Sequence, residues 1–350
     1  MRIAVDAMGG DHAPEPEIEG AIAAARGGAA IVLVGDEARL REELKKRGVT
    51  GLPIEVQHAS QVVTMDDHPS HAFKRKPDSS MRVCFDLVKG GAAGALVSAG
   101  NSGAMLACGL FVLGRIAGVD RPGIVTTFPI PDGVCALLDM GANVDIKPQN
   151  LVQFAVLGAV YAQTLHGKPR PRIGVLSNGS EDHKGTEATR EANRMLRAAQ
   201  TPDFEYVGYV EGRDIFSGRV DVVTTDGFTG NVLLKTAEGT AQAIARMLRE
   251  TIEGHPLGKL GGLLLRPAFR EMKRKLDWAE YGGAPLLGVK GVAMICHGAS
   301  PPRAFEKTIL SARTFVEAGL SAKLEAAIAA HRNLWADEPP LQPEVESKKA

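Results

Sequence analysis

Short apolar runs alternate with longer helical patterns along most of this 350-residue chain, and this alternation constrains the fold more than any other feature. Several runs, such as AIVLVG at 30–35, are apolar on successive residues, which is typical of strands covered by helices on both faces. The predicted strands are residues 2–7, 30–35, 54–57, 94–99, 123–128, 135–140, 172–177, 204–210 and 220–226. The predicted helices are residues 15–26, 37–47, 80–89, 102–114, 150–166, 186–199, 231–253 and 303–333. The alternation predicts an α/β fold with a mainly parallel sheet sandwiched between helices.

The composition excludes several classes of function. Lys and Arg together number 41, as do Asp and Glu, so the formal net charge is zero and we expect no nucleic-acid partner. The four cysteines lie far apart in sequence, which disfavours a zinc ribbon, an iron–sulfur site and a disulfide framework. The G-x-G-x-x-G fingerprint and the Walker A loop do not occur. We therefore expect neither a metal nor a cofactor.

One uncharged stretch, residues 90–114, is long enough to cross a bilayer. It contains seven glycines together with Ser98, Asn101 and Ser102, so it predicts a buried strand, a turn and a helix instead. The N-terminus lacks the pattern of a secretory signal. These features predict a soluble cytoplasmic protein. Residues 1–335 are expected to form a single two-lobed α/β domain, and residues 336–350 a disordered tail.

Four glycine-rich turns follow predicted strands, at residues 4–11, 98–104, 177–180 and 226–231. Each turn places free backbone N–H groups where a helix begins, and the partial positive charge there favours an anion. For any single turn, an ordinary helix N-cap is the simpler explanation. Four such turns at strand ends together favour a phosphate or oxyanion site. The candidate phosphate-binding residues are Asn101, Ser102, Gly103, Thr229, Gly230 and Asn231.

Residues 257–278 combine a run of leucines with a strongly cationic helical pattern. Apolar side chains recur on one helix face, and Pro267 falls in the first turn. The pattern predicts a protruding amphipathic segment that docks on a membrane surface or on an acidic partner. A packing helix with a solvated basic face is the alternative. The docking residues are predicted to be Leu264, Leu265, Arg266, Arg270, Lys273, Arg274 and Lys275.

Several motifs carry a resemblance to a known family. In order along the chain they include DAMGGDHAP (6–14), VSAGNSGA (97–104), DMGANVD (139–145), KGTE (184–187), DGFTGNVLLKTAEG (226–239) and HGAS (297–300). In these motifs the chain resembles the acyl-acyl-carrier-protein:phosphate acyltransferase (PlsX) family of bacterial phospholipid synthesis. The resemblance implies transfer of a long-chain acyl group from acyl carrier protein to inorganic phosphate, giving acyl phosphate. It also implies a fold similar to the isocitrate/isopropylmalate dehydrogenase and phosphotransacetylase architecture, a homodimer, and peripheral association with the membrane.

The chemistry of this reaction requires mainly positioning. Phosphate is itself a nucleophile, and a thiolate, with a reference pKa of about 8.5, is a fair leaving group. The protein must hold phosphate against the thioester carbonyl and stabilise the tetrahedral oxyanion. We assign Lys184 and His297 to the oxyanion or to the leaving group. Asp226 and Asn143 are predicted to orient these two side chains.

Two rival functions use part of the same pattern. A metal- and nicotinamide-dependent hydroxyacid dehydrogenase would share the fold, but it requires an arginine-rich carboxylate clamp with paired aspartates on one helix, which we do not find. A non-catalytic membrane scaffold would account for residues 257–278 but not for the four turns.

Overall fold

The computed structural model describes residues 1–131, 133–255, 257–276 and 282–336, and its elements follow the predicted alternation. The strands are β1 (Arg2–Asp6), β2 (Ala30–Gly35), β3 (Ile54–His58), β4 (Ala95–Ser98), β5 (Gly123–Ile130), β6 (Gly133–Leu138), β7 (Arg172–Leu176), β8 (Glu205–Val210), β9 (Val222–Thr224), β10 (Ala284–Leu287) and β11 (Val292–Ile295). The helices are α1 (Glu15–Arg26), α2 (Glu37–Lys46), α3 (Pro69–Arg75), α4 (Ser80–Lys89), α5 (Ser102–Cys108), α6 (Pro148–His166), α7 (Glu187–Ala198), α8 (Gly227–Gly254), α9 (Gly258–Leu264), α10 (Arg266–Leu276), α11 (Pro302–Glu317) and α12 (Leu320–Ala330). A π-helical turn (Gly109–Leu113) continues α5.

The strands of the described residues form one sheet, in the order β3-β2-β1-β4-β11-β10-β5-β6-β9-β7-β8. Most neighbouring pairs are parallel, which confirms the predicted α/β class with its mainly parallel sheet. The pairs β11–β10, β10–β5 and β5–β6 are antiparallel. As a result, β1 to β4 and β11 run in one direction, whereas β6 to β9 run in the other.

The register brings the carboxyl ends of both sets of strands to the middle of the sheet. Ile295 at the end of β11 pairs with Ser98 at the end of β4. Leu138 at the end of β6 pairs with Val125 near the start of β5, and β10 joins β5 to β11. Ligands of open α/β sheets bind beyond the carboxyl ends of strands. This junction is therefore the place where the fold positions a site.

Side-chain caps determine where several helices begin. Each cap accepts a hydrogen bond from the backbone N–H three residues on, which satisfies one of the donors that a helix start leaves unpaired. The capping residues are Asp36, Ser79, Asn101, Thr186 and Asp226. Those at Asn101 and Asp226 begin α5 and α8, two of the helices that follow glycine-rich turns predicted to bind an anion.

Helices cover the sheet on both faces. α1 packs against α11 over the first set of strands, and α6 packs against β9, α7 and α12 over the second set. α6 is buried along most of its length, as its apolar sequence requires. The large buried side chains Phe85, Phe154, Phe305 and Phe315 fill the space between the helices and the sheet.

Some elements differ from the sequence prediction. The pattern does not predict β10 and β11, because each has only four residues and lies next to glycines. The helix predicted at 303–333 is two helices, since Gly319 between them adopts a left-handed φ of 67°. Residues 90–114 fold as β4, α5 and the π-helical turn, as predicted. A helix long and apolar enough to span a membrane is not found in the described residues. Most of the predicted tail, residues 337–350, lies outside them.

Candidate active site

A cavity of about 500 Å³ opens where the carboxyl ends of the two sets of strands meet. Its walls come from the turns after β1, β4, β6 and β11, from β5, and from the N-terminal half of α8. Three of the predicted site residues line it together, namely Ser102, Asn231 and His297. The first and the last of them, Ser102 and His297, are more than a hundred residues apart in the sequence. The register of the sheet is therefore what brings the three residues together.

Asn101 organises the turn between β4 and α5. Its side-chain oxygen accepts a hydrogen bond from the Ala104 N–H at 3.1 Å. Its side-chain nitrogen donates to carbonyl groups of the 64–67 loop at distances of 3.0 to 3.4 Å. These bonds use the polar atoms of Asn101 within the protein, so they support a structural role and not a direct phosphate contact. Ser102, which lines the cavity, and Gly103 follow in the first turn of α5.

The start of α8 is occupied by a carboxylate. Asp226 accepts hydrogen bonds from the Thr229 N–H and from the Thr229 hydroxyl, both at 2.7 Å. Thr229 is thereby engaged in the cap, and its bonds do not support the predicted phosphate contact. Further along, Asn231, Lys235 and Glu238 line the cavity, and Lys235 pairs with Glu238 at 3.3 Å. Their spacing of four and three residues places them on one helix face.

A buried aspartate fixes the turn after β6. Asp139 accepts five hydrogen bonds: from the backbone N–H groups of Ile124, Gly141, Ala142 and Asn143, and from the Asn143 side-chain amide. Burial raises the pKa of Asp139, whereas the hydrogen bonds from Ile124, Ala142 and Asn143 favour its charged form and act against that shift. The turn is therefore held in one arrangement by a fully partnered carboxyl group.

Asn143 and Gly230 both belong to this arrangement. The Asn143 Nδ2 donates to Asp139 at 2.9 Å and to the Pro122 carbonyl at 2.7 Å. A Cβ on Gly230 would overlap the Asp139 carbonyl oxygen, so only glycine lets α8 approach the turn this closely. The contacts of these two residues position α8 and the turn. Their predicted roles in orienting side chains and in binding phosphate remain predictions.

Another wall of the cavity joins the turns after β1 and β11. The Asp11 N–H donates to the Gly298 carbonyl at 2.9 Å. His297 lines the cavity, and its Nδ1 accepts from the Ala299 N–H at 3.2 Å, so the neutral ring carries its proton on Nε2. The neighbouring Cys296 thiol is no nucleophile, because burial raises its pKa to about 12. This wall offers an imidazole donor without a competing thiolate.

Two further carboxyl groups are buried behind this wall. Asp6 at the end of β1 accepts from the Ser98 hydroxyl at 2.7 Å and from the Met8 N–H at 3.2 Å, and burial raises its pKa. Glu17 on α1 is only 1% exposed. Burial, with smaller contributions from Asp6 and Asp11, raises the pKa of Glu17 to about 7. Glu17 therefore changes charge near neutral pH.

Lys184, for which the sequence predicts a catalytic role, does not line the cavity. It lies in the β7–α7 loop, where the Asn178 side chain accepts a hydrogen bond from the Gly185 N–H at 2.9 Å. β9 stands between β6 and β7 in the sheet, which separates this loop from the strand junction. The catalytic role of Lys184 remains a prediction.

Sequence reasoning did not assign some polar residues of the cavity. Lys235 could have been identified from the sequence, because Asn231, Lys235 and Glu238 have helical spacing within a predicted helix. Thr126 and Thr127 of β5 also line the cavity, but threonines in a strand are indistinguishable from residues that only stabilise a sheet. Within the described part of the chain, His, Cys, Asp and Glu form no group of three or more placed to hold a metal.

The segment predicted to dock forms two helices, α9 and α10, with Leu265 between them. α9 packs on α8, and α10 packs on α9. Leu264 and Leu265 are exposed, as are Arg266 and Arg270. The positions of Lys273, Arg274 and Lys275 are on α10, but their side chains lie outside the described part, as do residues 277 and 278.

Comparison with solved structures defines the class of the fold. A phosphotransacetylase from Streptococcus pyogenes matches with a TM-score of 0.58 and 16% identity, over 90% of this chain and 94% of that chain. A branched-chain phosphotransacylase from Enterococcus faecalis V583 matches with a TM-score of 0.57 and 14% identity, over 90% and 99% respectively. The chain thus has the phosphotransacetylase-like fold.

Sequence relatives then give the family. A family model described as "Fatty acid synthesis protein" matches residues 1–323. The phosphate acyltransferase of Geobacter sulfurreducens is 56% identical over 325 residues, which cover 93% of this chain and 93% of the relative. The chain belongs to this phosphate acyltransferase (PlsX) family, and it is an acyltransferase, which confirms the resemblance seen in the motifs.

Proposed function

We propose that this enzyme transfers a long-chain acyl group from acyl carrier protein to inorganic phosphate, giving acyl phosphate for phospholipid synthesis. The observation that carries the proposal is the meeting of Ser102, Asn231 and His297 around one cavity. The name of the Geobacter relative supports phosphate as the acceptor. The motifs that resemble the family support acyl carrier protein as the donor.

In the proposed mechanism, phosphate attacks the thioester carbonyl carbon directly. A bond forms between a phosphate oxygen and that carbon, the carbon–sulfur bond then breaks, and the carrier leaves as a thiolate that takes up a proton. The Asn231 amide, the Lys235 ammonium and the Ser102 hydroxyl supply donors for the phosphate. Because Cys296 stays protonated, a covalent acyl-thiol intermediate has no support in this cavity.

His297 is assigned to the carbonyl oxygen or to the leaving thiolate, because its Nε2–H is a donor at the cavity wall. Asp226 and Asn143 act through position: the first begins α8, and the second holds the turn after β6. Lys184 retains its proposed role of assisting the leaving group. That role requires the β7–α7 loop to reach the thioester where the carrier arm leaves the cavity.

The decisive experiment measures thioester consumption by purified enzyme with acyl-acyl carrier protein. Thioester loss should depend on added inorganic phosphate, with one acyl phosphate formed for each carrier thiol released. Thioester loss at the same rate without phosphate would show a thioesterase and would overturn the proposal. The same assay distinguishes the enzyme from a non-catalytic membrane scaffold, because a scaffold would consume no thioester.

Removing the Asn231 amide tests the phosphate site. We expect Asn231→Ala to lower kcat/KM by roughly 10²–10³, the usual cost of one preorganised donor in a transition state. Val232→Ala is the matched control, because Val232 is an exposed neighbour on the same helix that does not line the cavity. Activity of Asn231→Ala close to that of Val232→Ala would exclude Asn231 from phosphate binding.

We also propose that residues 257–278 dock the acyl carrier protein and attach the enzyme to a membrane surface. Exposed leucines beside exposed arginines support this role, because such a surface suits both an anionic bilayer and an acidic protein. Co-sedimentation with anionic vesicles should be lost in Leu264→Glu, and KM for the carrier should rise in Arg270→Glu.

We propose further that the enzyme is a homodimer. Light scattering measures the mass of the protein in solution, and the mass of a monomer would contradict the dimer.

A further inference from the structure

Glu17 is a buried ionisable group that the proposed mechanism does not use. It lies on α1, it is 1% exposed, and its Oε2 has no hydrogen-bond partner among the described residues. Burying a polar oxygen without a partner is unfavourable, and burying a charged one is more so. A group placed at this cost next to a functional cavity is expected to act on that cavity.

The Glu17 carboxyl lies directly beneath a cavity wall. The Gly10 N–H donates to it, and a Cβ on Gly10 would overlap Oε1. That Cβ would also be only 3.3 Å from the Gly298 carbonyl oxygen, which already accepts the Asp11 N–H. Asp11 and Gly298 both line the cavity. Gly10 therefore lies between the Glu17 carboxyl and this wall.

The titratable groups that face Glu17 are acidic. They are Asp6 on β1, Asp11 on the β1–α1 turn, and the Cys296 thiol after β11. Where α11 meets α1 at Gly20, the nearest atoms of α11 are the Phe305 Cβ, the Pro302 carbonyl oxygen and the Glu306 backbone nitrogen. Burial is the main factor that disfavours a negative charge on Glu17, and Asp6 and Asp11 add smaller contributions.

We propose that Glu17 is a positioning residue that holds the Asp11–Gly298 wall beside His297 only while its carboxyl group is neutral. The inference rests on the proposed function, because that wall lines the acyl-transfer cavity. When the carboxyl ionises, the new charge has no partner at Oε2 and is repelled by Asp6 and Asp11. The turn then shifts, and the cavity binds anionic phosphate less well.

The sign of the pH effect follows from the pKa of Glu17. In the folded protein it is raised to about 7 from an ordinary value of 4.5. The folded state thus binds a proton that the unfolded state releases between these two values. The stabilisation is complete below about pH 4.5 and is lost as the pH rises through about 7. Activity that depends on the neutral carboxyl group should therefore fall as the pH rises through about 7.

The experiment compares the enzyme with Glu17→Gln, which is neutral at every pH, and with the control Glu19→Gln. Glu19 lies on the same helix but is exposed and pairs with Arg47, the residue after α2, at 3.6 Å. For each form, kcat and KM for inorganic phosphate are measured across neutral pH with acyl-acyl carrier protein. Phosphate itself ionises in this range, but its ionisation affects all forms alike and cancels in their ratio.

The ratio of kcat/KM for Glu17→Gln over the unsubstituted enzyme should be near one at low pH. It should then rise up to about tenfold one pH unit above the pKa, where the neutral fraction of Glu17 is about a tenth. Most of the change is expected in KM for phosphate. The ratio for Glu19→Gln should stay constant. A constant ratio for Glu17→Gln would overturn the positioning role.

Unfolding midpoints of the same forms, measured without substrates, separate this proposal from the proposed function. The unsubstituted chain should lose stability relative to Glu17→Gln as the pH rises through about 7. If the enzyme consumes no thioester with phosphate but the midpoints diverge, the proposed function fails and the charge change at Glu17 stands. Parallel midpoints would overturn the neutral buried carboxyl, whatever the reaction.

Discussion

Two of the buried carboxyl groups near the cavity, Asp139 and Glu17, have different surroundings. Asp139, after β6, accepts five hydrogen bonds that satisfy both of its oxygens. Glu17, behind the β1–α1 turn, has an oxygen without a partner and lies near Asp6 and Asp11. Burial raises the pKa of both groups, but only Asp139 has enough donors to stabilise its charge on both oxygens.

The difference indicates which wall of the cavity is fixed and which can respond. A fully partnered buried network admits one arrangement, because any displacement leaves donors unpaired. The turn at Asp139 therefore fixes α8, which carries Asn231 and Lys235 to the cavity. The wall above Glu17 lacks such a network, so a change of charge can displace it. The proposed phosphate contacts of Asn231 and Lys235 therefore lie on the fixed wall, and the proposed adjustment by Glu17 lies on the other wall.

The largest expected effect is on the fixed wall. Asp139→Ala leaves several buried N–H groups without an acceptor, and each such group costs about 1–3 kcal/mol, so we expect the free energy of unfolding to fall by about 3 kcal/mol or more. Urea unfolding measures this. Asp145→Ala, at an exposed position of the same loop, should change it by less than about 0.5 kcal/mol. Equal effects would show that the wall does not depend on Asp139.

An intermediate effect is expected where α8 meets the same turn. In Gly230→Ala the added Cβ overlaps the Asp139 carbonyl oxygen, which is backbone and cannot turn away, so overpacking should cost about 1–3 kcal/mol. Activity should fall as well, since Asn231 moves with the helix. Gly239→Ala is the control: nothing lies within 4 Å of its Cβ, and it should stabilise the helix by up to about 1 kcal/mol. A stable, active Gly230→Ala protein would show that the turn after β6 can adjust to the added Cβ.

The smallest effect on stability is expected at the adjustable wall. In Gly10→Ala the added Cβ meets the end of the Glu17 side chain, which can rotate, so the loss of unfolding free energy should stay below about 1 kcal/mol. The pH dependence of kcat/KM should nevertheless change, because the carboxyl is displaced. If Gly10→Ala destabilises the protein as much as Gly230→Ala does, the contrast between the two walls disappears.

The sequence was sufficient for most of the elements. Apolar runs such as 30–35 and 172–177 are strands in the structure, as predicted. Runs of this length are typical of strands and are too short for most helices. β10 and β11 lie outside this reasoning, since four apolar residues beside glycines fit a turn equally well. The helix at 303–333 was predicted without its break, because the left-handed conformation at Gly319 depends on how α11 and α12 pack.

Whether a predicted site residue lines the cavity depends on where the preceding strand lies in the sheet. Ser102 and His297 follow β4 and β11, which are neighbours in the sheet, and both line the cavity. Lys184 follows β7 by the same logic but does not line it, because β9 lies between β7 and β6. Motif order along the chain does not by itself fix strand order in the sheet.

By itself, the sequence determined the α/β class, the glycine-rich turns and the family, because periodicity and motifs are local properties of the chain. The tertiary structure alone decided that two sets of strands run in opposite directions and bring their carboxyl ends to one cavity. It also decided that Asp139 is fully hydrogen-bonded while Glu17 is not, because burial and partners come from residues distant in sequence. Those long-range contacts set the charge and the rigidity of each wall.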